Sequence, residues 1–317
     1  MNQQTFSDTP TLVLIGPTAI GKTDLSLELA ARYNGEVISM DSMQVYRYMD
    51  IGTAKVSQEE QQRIPHHLID IRYPNQQYNA AQFVADCTRT IEELSLRGKI
   101  PVITGGTGLY LQSLLNGLFA SIKVPHTIRA RLQERLKQEG REVLYAELRV
   151  IDRESAKSIH INDTQRLVRA LEIYEATGIS WSEQKRQQKE QGGGNRFKYL
   201  KIIGLNCERE QLYQRIARRA DIMLKQGIIE EVTALLAMGY TPELPAMQAI
   251  GYRHIVGYIQ GKTSLAQAQA DLVLDTRRYA KRQLTWFKKT PGLIWFDRTK
   301  RRQAVEAIDQ FMENTSV

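Results

Sequence analysis

The pattern of apolar and polar positions divides the chain into three stretches of different character. In the first, short apolar runs alternate with amphipathic segments. Thr11-Leu-Val-Leu-Ile15 is a β-branched and apolar run that stops at a glycine, and Asp24-Leu-Ser-Leu-Glu-Leu-Ala-Ala31 opens a helix with acid in its first turn. Glu36–Asp41 reads as a second buried strand ending in an acid, Asp50–Lys55 as a polar loop, and Pro65–Ile71 as a short strand-like run. Phe83, Cys87, Ile91 and Leu94 recur at helical spacing between Asn79 and Leu96, and Ile100–Thr104 follows as another strand. From about Lys123 to Gln191 strand signals vanish. Helical segments rich in charge are predicted there over Ile128–Glu139, Glu142–Ile151 and Asp163–Thr177, the last capped by Asp163, stopped at Gly178 and striped by Leu167, Leu171 and Tyr174. The polar run Gln184–Gly194, ending in three glycines, is expected to be a flexible return link. The third stretch brings strands back: Tyr199–Leu205, a helix over Leu212–Met238 interrupted near Gly227, a helix over Arg277–Lys289, and a last strand at Leu293–Asp297.

Alternating strands and helices with short turns predict an α/β fold, a parallel sheet flanked by helices with its ligands at the carboxyl ends of the strands. The helical stretch then reads as an insertion: residues 1–122 and 195–317 form the core, and 123–194 an inserted, mostly helical domain. A chain of 317 residues has room for both. No apolar run is long enough to span a bilayer, and the N-terminus does not read as a secretory signal. The two cysteines, Cys87 and Cys207, fit no metal-ligand spacing; as buried reduced thiols they suggest a cytoplasmic address. The net charge is +8, and between Arg277 and Arg302 ten Lys/Arg face a single acid, which raises the expectation of a polyanionic partner.

Candidate chemistry begins where the first strand stops. Gly16-Pro-Thr-Ala-Ile-Gly-Lys-Thr23 fits G-x-x-x-x-G-K-[ST] at every fixed position, between the predicted strand and helix that such a loop requires. Its amides would surround a diphosphate, Lys22 would reach the terminal phosphate, and the Thr23 hydroxyl would ligate magnesium. The loop alone does not choose among phosphate-handling enzymes. No N-K-x-D guanine motif is present, and the strand at Ile100–Thr104 ends in Gly-Gly-Thr where a motor ATPase carries an acid. The acid stands instead at Asp41, where small-molecule kinases of this fold often contact the acceptor. On the basic C-terminal helix, Tyr279, Arg282, Gln283 and Trp286 recur at helical spacing; the two rings suit either core anchors or stacking platforms for bases.

Taken together, the motifs are distinctive. The phosphate loop is joined by Asp41-Ser-Met-Gln-Val-Tyr-Arg47, Asp50-Ile-Gly-Thr-Ala-Lys55, Pro65-His-His-Leu-Ile-Asp70, Gly105-Gly-Thr-Gly-Leu-Tyr110, Gln165-Arg-Leu-Val-Arg169 and Lys281-Arg-Gln-Leu-Thr-Trp286. In this order they closely resemble the tRNA dimethylallyltransferases, the bacterial tRNA isopentenyltransferases, from residue 11 to about 297. The resemblance implies a P-loop NTPase-like core that holds dimethylallyl diphosphate, with magnesium, and an inserted tRNA-binding domain. It implies prenyl transfer to the exocyclic amine of the adenosine 3′ of the anticodon, in tRNAs reading codons that begin with U. Gly16, Pro17, Thr18, Ala19, Ile20, Gly21, Lys22 and Thr23 would hold the diphosphate. Asp41 matches the catalytic aspartate, Thr107 the threonine near the bridging oxygen, and Arg219 a diphosphate arginine whose role Arg215 could share. The tRNA anticodon stem-loop would meet Asp41, Ser42, Met43 and Gln44; Gln165, Arg166, Leu167, Val168 and Arg169; Gln248, Gly251, Tyr252 and Arg253; and Lys281, Arg282, Gln283, Trp286 and Lys288. A monomer with no membrane association is expected. Two departures stand out: Ile20 replaces the usual loop serine, and Val56 replaces the proline after Lys55. With two cysteines, no zinc finger like that of eukaryotic relatives is expected in this sequence. The alternative is a nucleoside or small-molecule kinase that uses ATP in the same loop.

Overall fold

The computed structural model describes residues 8–117, 124–190 and 196–315. The chain divides into two compact units, Met1–Leu115 with Asn195–Val317, and Asn116–Gly194. The junctions expected at residues 122–123 and 194–195 lie outside the described residues, as do the three glycines of the expected link.

The larger unit opens with strand β1 (Thr11–Ile15), helix α1 (Lys22–Arg32), β2 (Gly35–Met40), α2 (Gln58–Arg63), β3 (His66–His67), α3 (Ala80–Leu96), β4 (Ile100–Gly105) and α4 (Gly108–Asn116). The smaller unit carries α5 (His126–Gln138), α6 (Arg141–Ile151), α7 (Arg153–Ser158), α8 (Thr164–Thr177) and α9 (Trp181–Glu190). The larger resumes with β5 (Leu200–Asn206), α10 (Arg209–Lys225), α11 (Ile228–Ala237), α12 (Tyr252–Ile259), α13 (Leu265–Phe287), β6 (Leu293–Asp297) and α14 (Arg301–Glu313). Its six strands lie in the order β3-β2-β4-β1-β5-β6, and every neighbouring pair is parallel.

Burial explains the order. All five residues of β1 and all six of β2 are buried, so each needs layers on both faces, the signature of an interior parallel strand. Leu12, Leu14, Val37 and Val102 pack with Leu25, Leu27 and Leu29 of α1 on one side of the sheet. A second core joins Val45, Tyr46 and Met49, just after β2, to Met223, Ile228, Val232 and Tyr252. The register sets the ends of β1, β2 and β4 side by side, because Ile15 and Met40 both pair with Gly105. Whatever follows those ends, the phosphate loop, Asp41 and Thr107, meets at one edge.

Several expectations need correction. The strand-like run Pro65–Ile71 keeps only two paired residues, because Leu68 (φ 61°) and Asp70 (φ 56°) take left-handed conformations that break it; Tyr46 then bridges to Arg72. The helix expected from Arg277 begins at Leu265, capped by the Ser264 side chain on the Gln267 amide. Most of the run expected to be a flexible link, Gln184–Glu190, is helix α9. Its fastening is remote in sequence: Asp152 caps α7 through the Ser155 amide and also accepts from the Ser182 amide and hydroxyl, at 2.9 and 2.6 Å. Tyr174 is exposed, and the stripe of α8 is completed by Val168, Ala170 and Ile173 instead. Asp163 and Gly178 bound that helix as expected.

Candidate active site

The phosphate loop is built on conformations that its residues make possible. Gly21 sits at φ 100°, a region costly for residues with a Cβ, and as the N-cap of α1 it leaves the first-turn amides without a side-chain cap. Ile20 is 1 % exposed and packs into the core under the loop, which gives a physical reason for an apolar residue there. Lys22 Nζ donates to the carbonyls of Gly16 and Pro17 at 3.0 and 2.9 Å. Burial, and then the Arg219 guanidinium, pull its ammonium down to about 8, while Asp41 pulls the other way. A lysine held this way regains its full charge when an anion arrives.

Two arginines come from one face of α10, and they are placed differently. Arg215 Nε donates to the Ala19 carbonyl at 2.6 Å, so it braces the loop while lining the same cavity as Arg219. Arg219 stands inside, coupled to both Lys22 and Asp41; burial lowers its pKa and Asp41 opposes the shift. Two half-buried cations facing one carboxylate leave a surplus of positive charge, the condition for binding a polyanion.

Asp41 follows β2 directly. Its Oδ1 accepts from the amides of Met43 (2.8 Å) and Gln44 (3.4 Å), which turns the chain and fixes the carboxylate. The Ser42 amide donates to Thr107 Oγ1 at 3.1 Å, tying this turn to the residue after β4. Gln44 accepts from Ser39 Oγ at 2.9 Å and donates to the carbonyls of Thr53 and Ala54. The loop beyond, Asp50–Lys55, is held in turn by Glu231, whose carboxylate accepts from the Asp50, Ile51 and Gly52 amides and from the Tyr252 hydroxyl at 2.6 Å. Lys55 Nζ, nearly buried, donates to the Tyr46 carbonyl and to Asp50 and Asp70.

Helix α13 contributes more than charge. Gln283, 4 % exposed, accepts from the Thr18 amide at 2.9 Å and donates to the Gly106 carbonyl at 2.9 Å, so it staples the phosphate loop to the end of β4. Any Cβ at Gly106 would lie 2.1 Å from Gln283 Nε2, so a side chain there would displace the staple. Tyr279, one turn earlier, points its hydroxyl at Thr107 and Gln283; burial and nearby Asp41 push the phenol up. A cavity of about 460 Å³ runs along the phosphate loop past Arg215 and Arg219. A second, of about 290 Å³, has apolar walls from Ile216, Met223 and Leu272. Both are lined by Thr18, Asp41, Thr53, Arg219 and Tyr279. The family model described as IPP transferase matches residues 44–290. The chain belongs to that family.

Relatives agree along nearly the whole length. The chain is 52% identical over 305 residues to the tRNA dimethylallyltransferase of Desulfotalea psychrophila, with 96% of each chain covered. It is 45% identical to tRNA dimethylallyltransferase 2 of Syntrophus aciditrophicus, covering 95% of this chain and 96% of that one. Among solved structures, the full-length tRNA isopentenylpyrophosphate transferase of Bacillus halodurans superposes with a TM-score of 0.71 at 39% identity, over 97% and 98% of the two chains. A eukaryotic dimethylallyltransferase described as acting on tRNA reaches a TM-score of 0.83 at 31% identity, over 96% of this chain and 80% of that one. Membership in this transferase family overturns the kinase alternative.

The sequence-predicted polyanion contacts separate into free and committed residues. Lys281, Arg282, Lys288, Gln248, Gln165 and Arg166 are exposed, although Arg166 pairs with Asp163, Gln248 donates to the Pro242 carbonyl and Arg282 lies over the Tyr279 ring. Ser42, Met43 and Gln44 are half-buried beside the cavities. Others are structural. Leu167 and Val168 fill the core of the smaller unit, and Arg169 is engaged by buried Glu172, a carboxyl that burial pushes up but that Arg129 and Arg169 hold low overall. Tyr252 is buried on Glu231, Gly251 caps α12, and Arg253 pairs with Asp275 at 2.5 Å. Gln283 is an internal staple, and Trp286 packs half-buried against Gly108 while Phe287 is the fully buried ring of that turn. The sequence reading missed Glu231, because its acceptor role depends on amides some 180 positions earlier in the chain.

Proposed function

We propose that this enzyme transfers a dimethylallyl group from dimethylallyl diphosphate to the exocyclic amine of the adenosine 3′ of the anticodon, in tRNAs that read codons beginning with U. The observation that carries the reading is the position of Asp41 where a cationic cavity and an apolar-walled cavity meet. The first suits a diphosphate; the second suits a prenyl chain and an unstacked base. In the reaction the allylic C–O bond breaks, a C–N bond forms, and the amine gives up one proton. Asp41 accepts that proton as the nitrogen attacks, because the amine's lone pair is delocalised and becomes available only as N–H is lost. Lys22, Arg219 and the loop amides stabilise the charge that grows on the departing diphosphate, and Thr107 stands by its bridging oxygen.

Magnesium fits the donors present. Thr23 offers one hydroxyl at the helix N-terminus, and no cluster of three His, Cys, Asp or Glu side chains occurs among the described residues. Such a sparse oxygen site suits an ion that keeps several waters and takes its other ligands from phosphate. When bound, magnesium would neutralise charge on the leaving group. In the larger unit the tRNA would meet the Asp41–Gln44 turn and exposed Lys281, Arg282 and Lys288; in the smaller unit its proposed contacts are Gln165 and Arg166. No helix among the described residues is long and apolar enough to cross a membrane. We place the enzyme in the cytoplasm with its tRNA, acting as a monomer. Mass analysis of nucleosides from unmodified tRNA incubated with enzyme, magnesium and dimethylallyl diphosphate tests the reading: a prenylated adenosine is expected. Phosphoryl transfer from ATP with no modified nucleoside would overturn it.

A further inference from the structure

We propose that His66, Thr104 and Ser39 form a neutral outer shell that orients the waters of the divalent cation held at Thr23, in place of the acid that phosphate-loop ATPases carry at this strand end. The inference rests on the magnesium reading given above. Its basis is sheet register. His66 pairs with Val37, and Ser39, one pleat further along β2, pairs with Thr104. Registered parallel neighbours project from the same face. Here that face is the one on which Leu12, Leu14, Val37 and Val102 pack under α1. Toward the carboxyl ends of the strands it therefore changes from apolar to polar. The polar residues His66, Ser39 and Thr104 line the same cavity as Thr23.

Two atoms of this patch have no hydrogen-bond partner within the protein although they are buried: His66 Nε2 and Thr104 Oγ1. His66 Nδ1 lies 2.7 Å from the Ile64 carbonyl, an acceptor, so Nδ1 carries the proton and Nε2 presents a lone pair. Burial favours this neutral form. Ser39 Oγ gives its proton to Gln44 and keeps its own lone pairs free to accept. Buried polar atoms rarely go unsatisfied, and acceptors that line a metal cavity are satisfied by metal-bound water, whose hydrogens point outward. Asp24 and Asp41 also line this cavity, but Asp41 Oδ1 is already engaged by the Met43 and Gln44 amides. His66, Ser39 and Thr104 orient water without adding charge of their own, and the diphosphate that ligates the cation brings the larger share of negative charge to it.

Manganese is a suitable probe, titrated by electron paramagnetic resonance with and without inorganic pyrophosphate. The double variant His66→Ala, Thr104→Val should bind Mn²⁺ in the presence of pyrophosphate about 10- to 100-fold more weakly than wild type. Its metal-free affinity for pyrophosphate, measured by calorimetry, should be unchanged. Equal Mn²⁺ affinity would overturn the shell, and so would an equal loss of pyrophosphate binding without metal, which would mean direct phosphate contact. Thr104→Asp supplies the missing acid and should raise Mn²⁺ affinity in the absence of pyrophosphate by about tenfold, a gain that misfolding cannot mimic; no gain would contradict the placement beside the metal. Wild-type enzyme that binds no Mn²⁺ even with pyrophosphate would overturn the metal assignment itself.

Discussion

At Lys22 two forces act against the charged form, burial first and the Arg219 guanidinium second, and they bring the ammonium down to about 8. On the proposed assignment the protonated form binds the diphosphate, so affinity in the free enzyme should fall as pH rises through that value. Lys22→Arg, which keeps its charge throughout this range, should flatten the fall between about pH 7 and 9; an identical profile in both proteins would remove Lys22 as its source. Arg215 and Arg219 make a second contrast on one helix face. Arg215 is committed to the Ala19 carbonyl, whereas Arg219 faces Lys22 and Asp41. Arg219→Ala is expected to cost at least about tenfold more in pyrophosphate affinity than Arg215→Ala, in line with the strength of charge-assisted bonds to phosphate. Calorimetry on the two variants decides it.

The elements that build the site were partly legible in the chain. The phosphate loop, β2 ending at Asp41 and the turn after β4 were readable, because each is a local pattern: an apolar run, a turn and a helix start. What escaped was fixed by partners far away in sequence. Helix α9 is fastened by Asp152, and the Asp50–Lys55 loop by Glu231 on α11. The second half of α13 was visible as a basic helix, but its periodicity could not distinguish the buried staple Gln283 from a surface contact. Leu167 and Val168 lay inside a recognisable motif, yet burial makes them core. Glu231 allows a test at this scale. One carboxylate satisfies three consecutive amides and a phenol, and Glu231→Ala should destabilise the enzyme by about 2–3 kcal/mol, since bonds to a charged acceptor are the strong ones. Hydrogen exchange should speed up at residues 50–52 and not in β1. Unchanged exchange there would show that the loop holds itself.

Across the whole molecule the question is how a small cavity beside the phosphate loop comes to act on a large polyanion. The net charge of +8 is concentrated toward the C-terminus, and α13 presents Lys281 and Arg282 outward, with exposed Lys288 at its C-cap, while its Gln283 and Tyr279 reach the cavity. One helix thus connects an outer cationic surface to the cavity beside Asp41. Lys281→Ala combined with Arg282→Ala should lower the salt dependence of tRNA binding by a slope of about 1.5–2. A slope equal to wild type would take this helix out of the tRNA interface. The central claim is narrower: Asp41, fixed between the two cavities, takes the proton from the attacking amine. Single-turnover prenyl transfer with wild type and Asp41→Ala, tRNA affinity being measured alongside, tests it most directly. The transfer rate should fall by about 10²–10⁴-fold with tRNA affinity near wild type; lost affinity with an unchanged transfer rate would contradict it.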